Sequence, residues 1–320
     1  MTVPETPEHV LQWAQQRAEH RANRDFAAAD ALRDRIAGAG YQVSDTPDGP
    51  VVTRASRFVA VAAHQVPDHR DTDDAHDASV LLLLDAFGLD GEPEWLVADA
   101  TRCLASVLAH SQGRDYEVVI LDNGIGGAAG DWAADAARNP GVTALHLSEA
   151  VGFAEARALQ HRVATGRILL WLDTSVELRG DVLGRLAEVF DDPGVGAAGR
   201  WGAVVGHSVQ HFDGVEPPAV GVRDVHAVWS YLLGLRRTPL RTGAVELDLG
   251  FRFYRNADAD VSFRVRAAGA RTVVCDLPAT QHVHRGYSET PRAVVERESR
   301  RNYRRLLDRW RADMQALVGG

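Results

Sequence analysis

Several polar side chains in this 320-residue sequence stand where chemistry is done. Asp122 and Asp173 each close a short apolar run, at 118–121 and 167–172. If those runs are strands of an open α/β sheet, both aspartates sit at carboxyl ends, where such sheets bind ligands. With an extended chain beyond Asp173, the side chains of Asp173, Ser175 and Glu177 share one face. Oxygen donors of this kind suit a hard divalent cation, Mg²⁺ or Mn²⁺, although the Ser175 hydroxyl is neutral and a weaker ligand. Asp258 and Asp260 precede an apolar periodic run, where aspartate is favoured as a helix N-cap, and Asp260 is the better placed cap. His282 and His284 lie in a Gly- and Ser-bearing loop after the apolar run 272–275. The chain contains no lysine, which excludes Schiff-base catalysis and a P-loop.

From residue 78 onward, short apolar runs alternate with helical patterns, which predicts βαβ units and a parallel sheet. Strands are expected at 80–84, 118–121, 143–147, 167–172 and 272–275, with helices at 97–108, 132–138 and 153–164. Gly124, Gly126 and Ala129 fit a loose dinucleotide-binding pattern, but Gly130-Asp131 intervenes before the helix, so they read as a flexible loop. A final helix is expected over 291–317, with Tyr303, Leu306, Leu307 and Trp310 on its packing face and arginines on the other. The arginine face suits an anionic lipid or RNA as well as plain solvent.

The first forty residues read as helix over 7–40, stopped by Gly38 and Gly40. Residues 41–43 and 51–53 then flank Thr46-Pro47-Asp48-Gly49, a hairpin signal. The polar, acidic stretch HQVPDHRDTDDAHDA, residues 64–78, reads as a linker or surface loop, and the linker is set at 57–77. Three parts are therefore expected: a module at 1–56, the linker, and a catalytic-type unit at 78–320.

The bulk properties bound the partners. With 45% hydrophobic and 25% charged residues the composition is that of a globular protein. A net charge of -9 argues against broad nucleic-acid binding, which needs a basic surface. No apolar run approaches the roughly 20 residues of a membrane span, and residues 1–10 lack the apolar core of a signal peptide. The two cysteines, Cys103 and Cys275, suggest neither a disulfide framework nor a zinc site. A cytoplasmic location is expected.

The order of pieces over about 78–310 resembles the family 2 inverting glycosyltransferases of the GT-A fold. Five segments carry the resemblance: YEVVILDNG, VGFAEARALQHRVATGRILLWLD, DVHAVWSYLLGLRR, FRFYRNADADVSFRVRAAGARTVV and ATQHVHRGYS. The fold class it implies is α/β, a GT-A-like, mainly parallel sheet flanked by helices, beside a small N-terminal helical and β-hairpin module. That module, in RDFAAADALRDRIAGAGYQVSDTPDGPVV, resembles the C-terminal segment of cysteinyl-tRNA synthetases, with none of their catalytic motifs present.

The resemblance also implies roles. Asp122, Arg157 and Asp173 would hold a nucleotide-diphosphate sugar, and Asp173, Ser175 and His282 a divalent metal. Asp258 would be the base that deprotonates the acceptor hydroxyl. The aromatic residues Trp201, Trp229 and Tyr231, with His211, fall in the acceptor half. Three departures from the family pattern are Ser175 where a second aspartate is usual, Ala257 where another acid is usual, and no Pro-Thr-Tyr signature after Val80. The first reading is thus an inverting, metal-assisted glycosyltransferase. The alternatives are a binding or scaffold protein that keeps the fold without turnover, and a tRNA-associated factor acting through the N-terminal module.

Overall fold

The structure is a computed structural model and describes residues 6–55, 57–89, 91–206 and 211–313. It divides into two units, Met1–Arg57 and Phe58–Gly320.

In the smaller unit, α1 (Glu8–Ala22) and α2 (Phe26–Gly38) replace the single helix expected over 7–40. The break falls at Arg24, which takes a left-handed φ of 58°, and Asp25 then accepts a hydrogen bond from the Ala28 amide to start α2. Val10, Ala14 and Ile36 form the core between the helices. Phe26, the first residue of α2, is exposed. The hairpin β1 (Tyr41–Thr46) and β2 (Gly49–Arg54) closes on the expected Pro47-Asp48 turn. Arg17, a buried residue, reaches Asp45 at 2.7 Å.

The larger unit is built on β3 (His76–Leu84), whose residues from Ala78 on are buried on both faces. Such a strand reads as a continuous apolar run because helices cover both sides of it. Then follow α3 (Glu94–His110), β4 (Tyr116–Asp122), α4 (Gly127–Ala136), β5 (Val142–His146), α5 (Phe153–Val163) and β6 (Gly166–Leu172). A short β7 (Val176–Leu178) leads to α6 (Val182–Phe190) and β8 (Val195–Gly199). The next stretch is strand-rich: β9 (Gly202–Val205), β10 (Phe212–Val215), β11 (Val222–Asp224), β12 (Ala227–Val228) and β13 (Leu232–Arg236). The chain ends with α7 (Arg237–Arg241), α8 (Ala257–Ala267), β14 (Arg271–Cys275), β15 (Ala279–Gln281), α9 (Arg285–Ser288) and α10 (Arg292–Trp310). Residues 314–317 of the expected last helix lie outside the described residues.

The central sheet has the order β11-β14-β8-β13-β6-β3-β4-β5. Strands β6, β3, β4 and β5 run parallel, as does the β14–β8 pair, whereas β13 is antiparallel to both neighbours. This is an α/β fold with a mostly parallel sheet. β13 enters the sheet from the same end at which β6 leaves it, so Tyr231 meets the Asp173 turn there: the Tyr231 carbonyl accepts from the Asp173 amide at 2.9 Å.

The stretch expected as a linker is bound to the larger unit instead. Val61 pairs with Leu147, and Val66 is buried in the core. Arg237, itself fully buried, donates to the His69 and Thr72 carbonyls and meets Asp74 at 2.7 Å. Backbone carbonyls and one buried guanidinium hold down a segment whose apolar content alone would leave it loose.

Candidate functional site

A pocket opens where β3 and β6 end and β13 begins. Leu83, Asp85 and Phe87 come from the end of β3, Trp95 and Asp99 from α3, and Arg157 from α5. Asp173, Thr174 and Ser175 follow β6, Ser230 and Tyr231 precede β13, and Phe253, Tyr254, His284 and Arg285 close the far wall.

Asp173 is the centre of its polar side. One carboxylate oxygen accepts from the Ser175 amide at 2.8 Å and from the Ser175 hydroxyl; the other lies 3.3 Å from His284 Nε2. Burial opposes the Asp173 charge, but His284 and the Ser175 donors outweigh it and hold the carboxyl down at about 2. Burial likewise pushes the His284 imidazole down, and the Asp173 charge reverses the balance, so its pKa rises. The imidazole packs edge-on against Tyr231 and Tyr254, with ring centroids 5.4 and 5.0 Å away. Its Nδ1 is buried without a hydrogen-bond partner among the described residues.

His282, the histidine expected beside Asp173, is turned elsewhere: its Nε2 meets Glu177 at 2.8 Å. Glu177 is also held by Arg179 at 2.9 Å, so it does not join Asp173 either. The reason is local. Asp173 to Val176 forms a turn, with the Val176 amide bonded to the Asp173 carbonyl, and the chain is not extended from 173 to 177. β7 then pairs with β15, which places Glu177 beside Thr280 and carries His282 to its side.

Arg157 lines the pocket from beneath. It is 2% exposed, donates to the Leu81 carbonyl and to Gln160, and faces the rings of Phe153 and Trp171. Burial lowers its pKa to about 10, which leaves it cationic at neutral pH.

Asp258 stands one side chain behind the wall. Ser230, which lines the pocket, donates its amide and hydroxyl to one Asp258 oxygen, at 3.1 and 3.2 Å. The Ala259 amide satisfies the other oxygen. Burial raises the carboxyl to about 6 against the pull of these donors. Asp260, expected as the helix cap, is not one. α8 starts after Asn256 in a left-handed conformation, and Asp260 instead joins Arg264 and Trp310 Nε1 inside the fold, at 2.6 and 2.7 Å.

Asp122 is buried away from the pocket. Its carboxylate accepts from the Ile125 and Gly126 amides and touches His146 Nδ1 at 3.2 Å. Phe58 stacks on the His146 ring at 3.9 Å. The next amides, of Ala128 and Ala129, are taken by Glu92, so the glycine loop offers its first N–H groups to its own carboxylates and not to a phosphate. Asp85 faces the pocket in its place, tied to the Asp122 strand by Asn123, whose amide donates to it at 3.2 Å. Burial raises the Asp85 carboxyl. The sequence reading passed over Asp85, yet the rule that selected Asp122 and Asp173 applies to it, since it too closes an apolar run. Of the acceptor-side aromatics, Tyr231 lines the pocket, Trp201 abuts Tyr231, and Trp229 packs on Phe212 in the core. His211 is exposed.

Comparison with known proteins agrees with this architecture. Residues 98–221 match the model of the glycosyl transferase family 2. A solved structure of GalNAc-T7 with UDP, GalNAc and Mn²⁺ superposes on 75% of this chain and 50% of its own, at a TM-score of 0.58 and 14% identity. The larger unit thus has a GT-A-like fold, and its residues 98–221 are similar to the glycosyl transferase family 2. A second likeness is short. The cysteine–tRNA ligase of Nocardioides sp. is 60% identical over 35 residues, 11% of this chain and 7% of the ligase. That of Nitratidesulfovibrio vulgaris is 51% identical over 45 residues, 14% of this chain and 9% of the ligase. The chain therefore spans half of GalNAc-T7 and less than a tenth of either ligase. Among the described residues, no helix is long and apolar enough to cross a membrane.

Proposed function

We propose that the larger unit is a glycosyltransferase that moves a sugar from a nucleotide-diphosphate donor to an acceptor hydroxyl with inversion. The observation that carries the reading is the Asp173–His284 pair at 3.3 Å inside a pocket that also holds Arg157.

A leaving diphosphate gathers negative charge, and the site must offset it. Arg157 offers a buried guanidinium. Asp173, kept ionised, and His284 Nε2 are donors that fit Mn²⁺ or Mg²⁺, with the Ser175 hydroxyl as a third, neutral one. The fit is partial: no group of three or more His, Cys, Asp or Glu side chains gathers among the described residues, so donor oxygens and water would fill the remaining positions. When bound, such an ion neutralises charge on the leaving group.

Asp258 is proposed as the base. With its pKa near 6 it is ionised at neutral pH yet basic enough to accept the acceptor's proton. Ser230 holds it and, by turning its hydroxyl, opens the way from the pocket. The donor base is proposed to lie over Asp85, because Phe58 and His146 cover Asp122.

A thermal-shift screen of sugar nucleotides, with and without Mn²⁺, tests this on wild type and Asp173→Ala. A donor that stabilises wild type only with metal, and fails to stabilise the variant, supports the reading. Subsequent transfer with an inverted product anomer by NMR completes it. Binding without any transfer would favour the scaffold alternative, and no response to any donor would overturn both.

A further inference from the structure

The larger unit reverses its charge along one helix. The whole chain carries -9, yet residues 292–313 hold eight arginines against four acidic residues. On α10 the residues Val295, Asn302, Leu306 and Trp310 face inward, and Asn302 clamps the Phe253 and Arg255 carbonyls that support the pocket wall. The outward face presents Arg297, Arg300, Arg301, Arg304, Arg305 and Arg309 along an open groove.

Most of these charges remain available. The Arg300–Glu296, Arg301–Glu298 and Arg309–Asp313 pairs are 3.8 to 4.0 Å long, and all three arginines are more than half exposed. Exposed pairs of that kind hold charge only weakly. Two are tightly paired, Arg305 to Asp248 at 2.6 Å and Arg297 to Glu298 at 2.8 Å. The next residue, Leu249, is 51% exposed, an apolar side chain at the margin of a basic strip.

We propose that this strip docks the protein on an anionic phospholipid surface. From Arg297 to Arg309 the helix gives a rigid row of about 18 Å, and arginines on it add attraction to a charged leaflet one by one. Only charge within a Debye length of the surface is felt, so the acidic remainder of the protein does not cancel the row. The helix is less suited to RNA, whose single strands are read by stacking on exposed aromatic rings. Its own aromatic residues are spent otherwise: Trp310 is buried and Tyr303 half-buried.

Sedimentation of the full chain with phosphatidylcholine vesicles, with or without phosphatidylglycerol, tests the proposal. Retention is expected only with phosphatidylglycerol and should fall as salt rises. Arg300→Gln, Arg301→Gln and Arg304→Gln together should weaken partitioning about a hundred-fold, and Arg304→Gln alone about five-fold, at unchanged melting temperature. Equal partitioning by the triple variant, or no dependence on phosphatidylglycerol, would overturn it. So would tight, salt-sensitive binding of a hairpin RNA by protein that ignores the vesicles.

Discussion

His284 Nε2 lies 3.3 Å from Asp173 Oδ2, while His282, two residues earlier, is 2.8 Å from Glu177. The short β15–β7 pairing assigns the two histidines to opposite tasks, one in the pocket and one on its rim.

His284→Ala should therefore remove Mn²⁺-dependent donor binding, with a loss on the order of ten- to a hundred-fold, read as disappearance of the metal-dependent thermal shift. His282→Ala should keep that shift and leave the melting temperature nearly unchanged, because its contact with Glu177 is partly exposed. Only neutral imidazole coordinates a metal. Since Asp173 raises the His284 pKa, metal dependence should already weaken as pH falls through values above 6.5. A response lost in His282→Ala and kept in His284→Ala would reverse the assignment.

Asp258→Asn should abolish transfer, about a hundred-fold or more, while donor binding survives. It should also stabilise the protein near pH 7. The Asp258 pKa is raised from 3.8 to about 6, so its protonated form is the one folding favours. Its contribution is full below about 3.8 and is lost as pH rises through about 6, a cost on the order of 3 kcal/mol once ionised. Transfer by wild type should accordingly rise with pH through about 6, as the base ionises. Full activity in Asp258→Asn would exclude it as the base.

The strands and helices that build the pocket were legible because buried parallel strands are continuous apolar runs, and Asp173 and Arg157 came with them. Side-chain direction was not. Asp122 and Asp85 both end strands, and only Phe58 stacking on His146 decides that Asp122 is covered. Phe58 is remote from Asp122 in sequence, so no local pattern announces it. The 173–177 turn and the β15–β7 pairing, which separate His282 from His284, are likewise tertiary facts. The strap at 58–77 reads as linker because backbone carbonyls and a single buried valine, Val66, anchor it, and Arg237 lies far along the chain.

Gly130 is the position where Phe58 can be tested. A Cβ there would collide with two ring carbons of Phe58. Gly130→Ala should cost about 1–3 kcal/mol by overpacking, and Phe58→Ala in the same chain should recover part of that loss. Urea titrations of the two single variants and the double variant measure the coupling. Strict additivity would show that the ring does not occupy this slot.

The last helix is tied to the fold through Asp260, whose buried carboxylate accepts from Trp310 Nε1 at 2.7 Å and from Arg264 Nε at 2.6 Å. Trp310→Phe keeps much of the apolar contact with Phe263 but removes one donor from a carboxylate that burial already pushes upward. An acceptor left short in the interior costs about 1–3 kcal/mol. Asp260→Asn in the Trp310→Phe background removes the charge that lacks its donor, and should return part of the stability. Melting temperatures of the three variants decide it: if Trp310→Phe melted with wild type, the Asp260 contact would not be what holds α10 down.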